Sequence, residues 1–212
     1  MVITWYGQSC FKVQSGETVL FTDPFNKEVG LTPPRGLAHI VTVSHNHYDH
    51  NNREALNGEP LIINGPGEYE IKGVNIKGIF SYHDDKEGKE RGTNTIYVIE
   101  MEGIKFCHLG DLGQEKLSAE QVEEINGVDI LMVPVGGAAT VDGETAVEII
   151  NQIEPRLVIP MHYKIPGLAM KLDGVDVFLK EMGLGKKEVV DKLTLKKKDL
   201  TEGEMEVVVM KI

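Results

Sequence analysis

The sequence is poor in cysteine, in basic charge and in long apolar runs. Only two cysteines occur in 212 residues, Cys10 and Cys107, far apart and in strand-like sequence. Two buried thiols in a reducing compartment are expected rather than a disulfide. No apolar run approaches the roughly 20 residues that a membrane helix needs. The opening residues, MVITWYGQSCFKV, carry no basic head and no long apolar stretch, so no secretory signal is expected and the setting reads as cytoplasmic. Lys and Arg number 22 against 33 Asp and Glu, a net charge of −11. The one basic cluster, Lys186, Lys187, Lys192, Lys196, Lys197 and Lys198, reads as a solvated edge. Neither nucleic acid nor a membrane is expected as a partner.

Hydrophobic residues make up 41% of the chain, enough for a substantial core. No linker or internal repeat divides it, so residues 1–212 are expected to form a single domain. The first half is rich in short strand signals. Ile3 to Tyr6, Cys10 to Val13 and Val19 to Thr22 read as consecutive hairpins. Ile40 to Val43, Leu61 to Ile63 and Val74 to Phe80 read as strands, with a turn at Gly65-Pro66-Gly67. Thr95 to Glu100 and Ile104 to Cys107 flank Glu102-Gly103 as a hairpin.

The second half alternates helix and strand. Ser118 and Gln121 make a capping box before Val122 and Ile125. Asp142 can cap a helix whose apolar face is Ala146, Ile149, Ile150 and Ile153. Val175, Phe178, Leu179 and Met182 form another stripe, closed by Gly183. Ile130 to Val135, Leu157 to Met161 and Val207 to Met210 read as strands. This order predicts an α/β fold of two packed sheets with helices outside. Asn26 to Gly36 and Asp84 to Thr93 read as long exposed loops.

The seven histidines are unevenly spread. His45, His47, Asp49 and His50 fall within one short segment, directly after an apolar strand. In an extended or tightly turned segment, alternate side chains share a face. His45 and His47 can then converge on one ion while Asp49 and His50 turn toward a second. Imidazole and carboxylate suit zinc, iron and manganese, and no thiolate is offered. The alternative, a set of solvated loop histidines, would crowd like groups with nothing bound. His83, Asp111 and His162 each end a strand, where sites are commonly assembled, and each taken singly is as compatible with a structural role. His39 reads as a turn residue before its strand.

The pattern resembles the metallo-β-lactamase superfamily. The matching elements, in order, are Asp23 in FTDP, the His45-x-His47-x-Asp49-His50 segment, His83, Asp111 in HLGD and His162 in PMHY. Within it, GDL and MHY are similar to the small hydrolases related to L-ascorbate-6-phosphate lactonases. The resemblance implies a four-layered αββα sandwich, the metallo-β-lactamase fold. It implies that His45, His47 and His83 bind a first metal and that Asp49, His50 and His162 bind a second. Asp111 would bridge them, and Asp23 would hold a histidine or the ligand loop in place. The alternative for Asp23 is a turn carboxylate before Pro24.

The expected cofactors are two divalent ions, zinc foremost, with manganese or iron as alternatives. The expected reaction is attack by a metal-bridging hydroxide on a small anionic ester or lactone, with Asp49 also accepting a proton. A phosphodiesterase or nuclease is the alternative from another reaction class, and a metal-binding protein without turnover is the alternative outside enzymology. His108 is a candidate general acid, against a packed or ring-holding role. Tyr163 and Lys164 are candidate substrate contacts, against exposed rim residues. Asp at positions 49 and 111, where antibiotic-degrading members differ, argues against β-lactams as the natural substrate. His47 and the missing flavin-binding domain argue against di-iron redox chemistry.

Overall fold

The computed structural model describes residues 1–200, 203 and 205–212. Three antiparallel strands open the chain: β1 (Val2–Gly7), β2 (Cys10–Ser15) and β3 (Thr18–Thr22). Then β4 (Ile40–Thr42) and β5 (Leu61–Ile63) join in parallel. A meander follows, of β6 (Gly67–Ile71), β7 (Val74–Tyr82), β8 (Thr93–Met101) and β9 (Ile104–His108). The rest alternates: α1 (Ala119–Ile125), β10 (Ile130–Pro134), α2 (Gly143–Ile153), β11 (Leu157–Met161) and α3 (Val175–Glu181). Four short strands close it, β12 (Val189–Val190), β13 (Leu193–Thr194), β14 (Glu206–Val207) and β15 (Val209–Met210).

These form a six-stranded sheet, ordered β13-β1-β2-β3-β4-β5, and a seven-stranded sheet, ordered β14-β11-β10-β9-β8-β7-β6. The alternation of side chains along a strand divides the first sheet into two faces. Ile3, Trp5, Phe11, Val13, Leu20 and Ile40 face inward and share one core with Ile96, Phe106, Leu131 and Ile159 of the second sheet. Cys10, Val19, Phe21, Val41 and Val43 face outward and pack beneath Phe25, Val29, Leu31 and Leu56. That outer layer is built of loop and single 3-10 turns at Lys27–Val29 and Arg53–Ala55. The three α-helices are grouped together, α2 packing on both α1 and α3 and touching β10. Tyr97 ties the two sheets together: its hydroxyl is shared between the carbonyls of Val43 (2.9 Å) and Ile63 (3.2 Å).

The capping box of Ser118 with Gln121 is present, and the Asp142 side chain accepts from the Thr145 N–H. Both cysteines are free and buried. Three expectations need correction. Val207 to Met210 is not one strand: Glu206–Val207 pairs with β11, where the Val208 N–H still donates to the Val158 carbonyl, and Val209–Met210 pairs with β12. The Asn26 to Gly36 loop is anchored rather than merely exposed, since it buries Val29 and Leu31. The Asp84 to Thr93 loop is organised by its own first residue. The Asp84 carboxylate accepts from the backbone N–H groups of Lys86, Gly88, Glu90 and Arg91 at 2.7–3.0 Å.

Strand direction places the functional candidates. In the first sheet β3 and β4 run parallel. In the second, β9 and β11 run parallel through β10, and β7 runs the same way because it is antiparallel to β8, which is antiparallel to β9. Asp23, the His45 segment, His83, Asp111 and His162 follow the C-terminal ends of β3, β4, β7, β9 and β11 respectively. No helix among the described residues is long and apolar enough to cross a membrane.

Candidate metal centre

The strand ends bring all seven expected ligands into one cluster, six of them buried and His47 open to solvent. Donor atoms of His45, His47 and His83 lie within 4.8 Å of one another, as do those of Asp49, His50 and His162. A third trio, His45, His50 and Asp111, connects the two sets. Asp111 stands between them: its Oδ2 lies 3.2 Å from His50 Nε2, 3.4 Å from His162 Nε2 and 3.6 Å from His83 Nε2. The ring of His45 sits 4.5 Å from those of both His47 and His83, centroid to centroid.

The chemistry of these donors fits divalent cations. The Nε2 atoms of His45, His50 and His162 are buried without a hydrogen-bond partner. Orphaned buried nitrogens are costly, of order 1–3 kcal/mol each, unless something completes them. Three carboxylates crowd His50, with Asp23 at 3.0 Å, Asp111 at 3.2 Å and Asp49 at 3.4 Å. Burial disfavours charge on His50, yet Asp111 and its fellow carboxylates outweigh it and raise its pKa well above the usual imidazole value. The carboxylates around His50 thus favour positive charge at this point, as a bound cation would supply. Burial would also raise Asp111, but the His162 and His50 rings hold it well below the carboxylate range. Asp49, opposed by burial but bonded to His50, is held at about 2. Burial, then the His50 charge, lowers His45 to about 3, so its ring is neutral and ready to donate a lone pair. His83 is lowered chiefly by burial; Asp111 opposes this, and His47, His50 and the Arg91 guanidinium reinforce it.

The positioning of the ligands is as specific as the ligands themselves. Asp23 is buried, and its Oδ1 accepts from the Ser44 backbone N–H at 2.7 Å. Its Oδ2 contacts His50 Nδ1 at 3.0 Å and accepts from the Ser44 hydroxyl at 2.6 Å. The Ser44 oxygen is also 2.9 Å from His45 Nδ1. On the opposite side, Ser9 donates to Asp111 Oδ1 at 3.2 Å, and Asn94 Oδ1 accepts from the Asp111 N–H at 3.0 Å. Asp23 and His162 adopt left-handed backbone, φ 39° and 50°, conformations unusual outside glycine that concentrate at working sites. Gly110 (φ 58°) is required: a Cβ there would meet Asn94 Oδ1 and lie 2.6 Å from Ser44 Cβ. Gly113 likewise lets the chain pass against the His83 backbone.

Sequence reasoning missed Ser9, Ser44 and Asn94. Ser44 carried a readable signal, a hydroxyl at a strand end directly before a ligand. Asn94 carried none.

Two candidates are not where they were expected to act. His108 is fully buried, with Nε2 2.7 Å from the Ser9 carbonyl and Nδ1 accepting from the Gly110 N–H at 3.2 Å. A carbonyl only accepts, so Nε2 carries the proton and both nitrogens are committed to backbone. Burial further lowers its pKa. It braces the turns that carry Ser9 and Asp111, with its one N–H held by the Ser9 carbonyl. Tyr163 is also buried, 5.0 Å from the Trp5 ring, and its hydroxyl donates to the Met210 carbonyl at 3.1 Å, so it points into the core rather than toward substrate. Lys164 is exposed. His39 accepts from the Val19 N–H through Nδ1 at 3.1 Å, a bracing contact for β3.

Comparison with known proteins places this geometry. A family model described as the beta-lactamase superfamily domain matches residues 2–162. A metal-dependent hydrolase of Thermoplasma volcanium is 31% identical over 193 residues, covering 76% of this chain and 82% of that one. A crystal structure from Thermotoga maritima, provisionally named a Zn-dependent hydrolase of the metallo-beta-lactamase superfamily, is 40% identical. It covers 99% of this chain and 97% of its own, with a TM-score of 0.82. A metallo hydrolase of Ignicoccus hospitalis shares the fold at 21% identity, with a TM-score of 0.63 over 92% of this chain and 99% of its own.

Proposed function

The chain belongs to the beta-lactamase superfamily and is a metal-dependent hydrolase; we propose that it works with two divalent ions, zinc foremost and manganese or iron as alternatives, on a small anionic ester or lactone. The observation that carries the reading is the set of buried, unpartnered Nε2 atoms on His45, His50 and His162 facing the Asp111 carboxylate. His45, His47 and His83 would hold the first ion, Asp49, His50 and His162 the second, and Asp111 would serve both. Nitrogen and carboxylate donors without thiolate suit these metals. Ions bound there would supply Lewis acidity toward a substrate oxygen and acidify water enough to make it a nucleophile at neutral pH.

The chain's own residues supply the rest. Asp23 and Ser44 fix the rings of His45 and His50, so that each offers Nε2 inward. Asp49, ionised beside His50, is the proposed acceptor of the proton that attacking water releases. Ser9 and Asn94 hold Asp111 from behind, leaving its Oδ2 toward the histidines. Lys164, exposed two residues past His162, is a proposed contact for the substrate's charged part. The exposed acids Asp85, Glu90 and Glu115 beside His83 weigh against a polyanion such as nucleic acid. The two unpaired thiols suit a reducing, cytoplasmic setting.

The test is an activity screen of zinc-, manganese- or iron-reconstituted protein against lactones, carboxylic esters and bis(p-nitrophenyl) phosphate. Turnover of a lactone or ester, abolished by chelator and restored by metal, is expected. Preference for the phosphodiester would replace this reading with the alternative reaction class. Metal uptake without turnover of any substrate would leave a binding protein.

A further inference from the structure

A cavity of about 340 Å³ opens beside the metal centre, walled by His83, the loop that follows it, Gly113 and the segment 137–142. Five of its lining residues are acidic, and Arg91 is the only Arg or Lys among them. Most of those acids are already engaged. Asp84 commits both oxygens to four backbone N–H groups. Glu90 pairs with Lys86 at 2.6 Å, and Asp142 accepts from the Thr145 N–H at 2.9 Å. Among the described residues Arg91 forms no ion pair within 4.0 Å, and its guanidinium donors stay open.

The base of Arg91 is nevertheless fixed. Its backbone N–H donates to Asp84 Oδ2 at 2.7 Å, and Asp84 directly follows the ligand His83. An exposed, unpaired guanidinium carried on an anchored backbone, at a cavity of small-molecule size beside His83, is an arrangement that favours a planar oxyanion.

We propose that this cavity receives the substrate and that Arg91 grips one oxyanion on it, a carboxylate or a phosphate, while the scissile bond faces the His/Asp cluster. The proposal deepens the hydrolase reading above and rests on it. The acidic remainder of the wall weighs against polyphosphates and polynucleotides.

The test titrates inorganic phosphate and malonate into the zinc-loaded protein by calorimetry, in the wild type, Arg91→Gln and Arg91→Lys. Zinc content and melting temperature are measured on the same samples. The wild type is expected to bind at least one probe. Arg91→Gln should weaken that binding about 10–100-fold, Arg91→Lys should recover part of it, and zinc content and melting should not change. Tighter malonate binding assigns a carboxylate; tighter phosphate binding assigns a phosphoester. Equal binding by wild type and Arg91→Gln, or no binding of either probe to the wild type at millimolar concentration, overturns the proposal. A wild type without zinc would instead sink the hydrolase reading, and the Arg91 dependence would still be read from the same titrations.

Discussion

Asp23 and Ser44 share a hydrogen bond of 2.6 Å, and through it a single carboxylate orients His45 and His50, one from each candidate ligand set. The Ser44 hydroxyl donates its proton to Asp23, so its lone pair is left to accept from His45 Nδ1–H at 2.9 Å. The same Asp23 oxygen holds His50 through Nδ1 at 3.0 Å. Each imidazole is thereby set in the tautomer that offers Nε2 to the interior.

Removing the two partners should therefore have different consequences. Ser44→Ala frees His45 alone and is expected to weaken metal binding at the His45, His47 and His83 set about 10-fold. Asp23→Asn disturbs His45 and His50 together and is expected to weaken both sets, by about 10–100-fold. Competition titrations against a chromophoric chelator resolve the two binding steps. Equal loss at both steps in Ser44→Ala would count against the relay.

His108 offers a contrast between stability and catalysis. With both nitrogens on backbone, it is expected to act by bracing Ser9 and Gly110. His108→Ala should cost about 2–4 kcal/mol in urea unfolding, from the lost ring packing and an unpaired Ser9 carbonyl. The pH profile of kcat/KM should keep its shape. Loss of one limb of that profile would restore His108 as a proton donor.

Gly110→Ala is the sharpest steric probe. The new methyl would meet Asn94 and Ser44 at a left-handed position. A loss of about 1–3 kcal/mol is expected by chemical denaturation, accompanied by weaker metal binding because Asp111 moves with the turn. Wild-type stability would show that the turn yields easily and that the close approach is not needed.

Much of this centre could be read from the chain because the information was local. His45, His47, Asp49 and His50 sit within one turn, and His83, Asp111 and His162 each end a strand, so the α/β frame that aligns strand ends also gathers them. What stayed hidden depends on distant pairing. Ser9 meets Asp111 across 102 positions, and Asn94 supports the same residue from β8 of the seven-stranded sheet. His108 and Tyr163 looked functional because they lie close to candidate ligands in sequence, but side-chain direction is set by the local backbone, left-handed at Gly110 and His162. Tyr163 accordingly turns onto Trp5 while His162 faces the cluster. The split of Val207 to Met210 between two sheets likewise follows from partners the segment does not itself contain.

The pH dependence of the metal-free protein should be two-sided. The folded pKa of His50 is raised, so its contribution to stability is complete below the unfolded value of about 6.5 and lost as pH rises through the folded one. Asp84 is held at about 2 despite burial, by the N–H groups of Arg91, Lys86, Glu90 and Gly88. Its contribution is complete above the unfolded value of about 3.9 and lost as pH falls toward the folded one. Urea unfolding across pH should show both losses with chelator present. Zinc should remove the alkaline loss, since the ion replaces the His50 proton, and Asp84→Asn should remove part of the acid loss. An alkaline loss unaffected by zinc would contradict this assignment.

The most direct measurement is the zinc content of reconstituted wild type and Asp111→Asn, by elemental analysis with anomalous diffraction to place the ions. Two ions per wild-type chain are expected, one among His45, His47 and His83 and one among Asp49, His50 and His162, with fewer than two in Asp111→Asn. A wild type that holds one ion or none, or an Asp111→Asn variant that keeps both, would contradict the account.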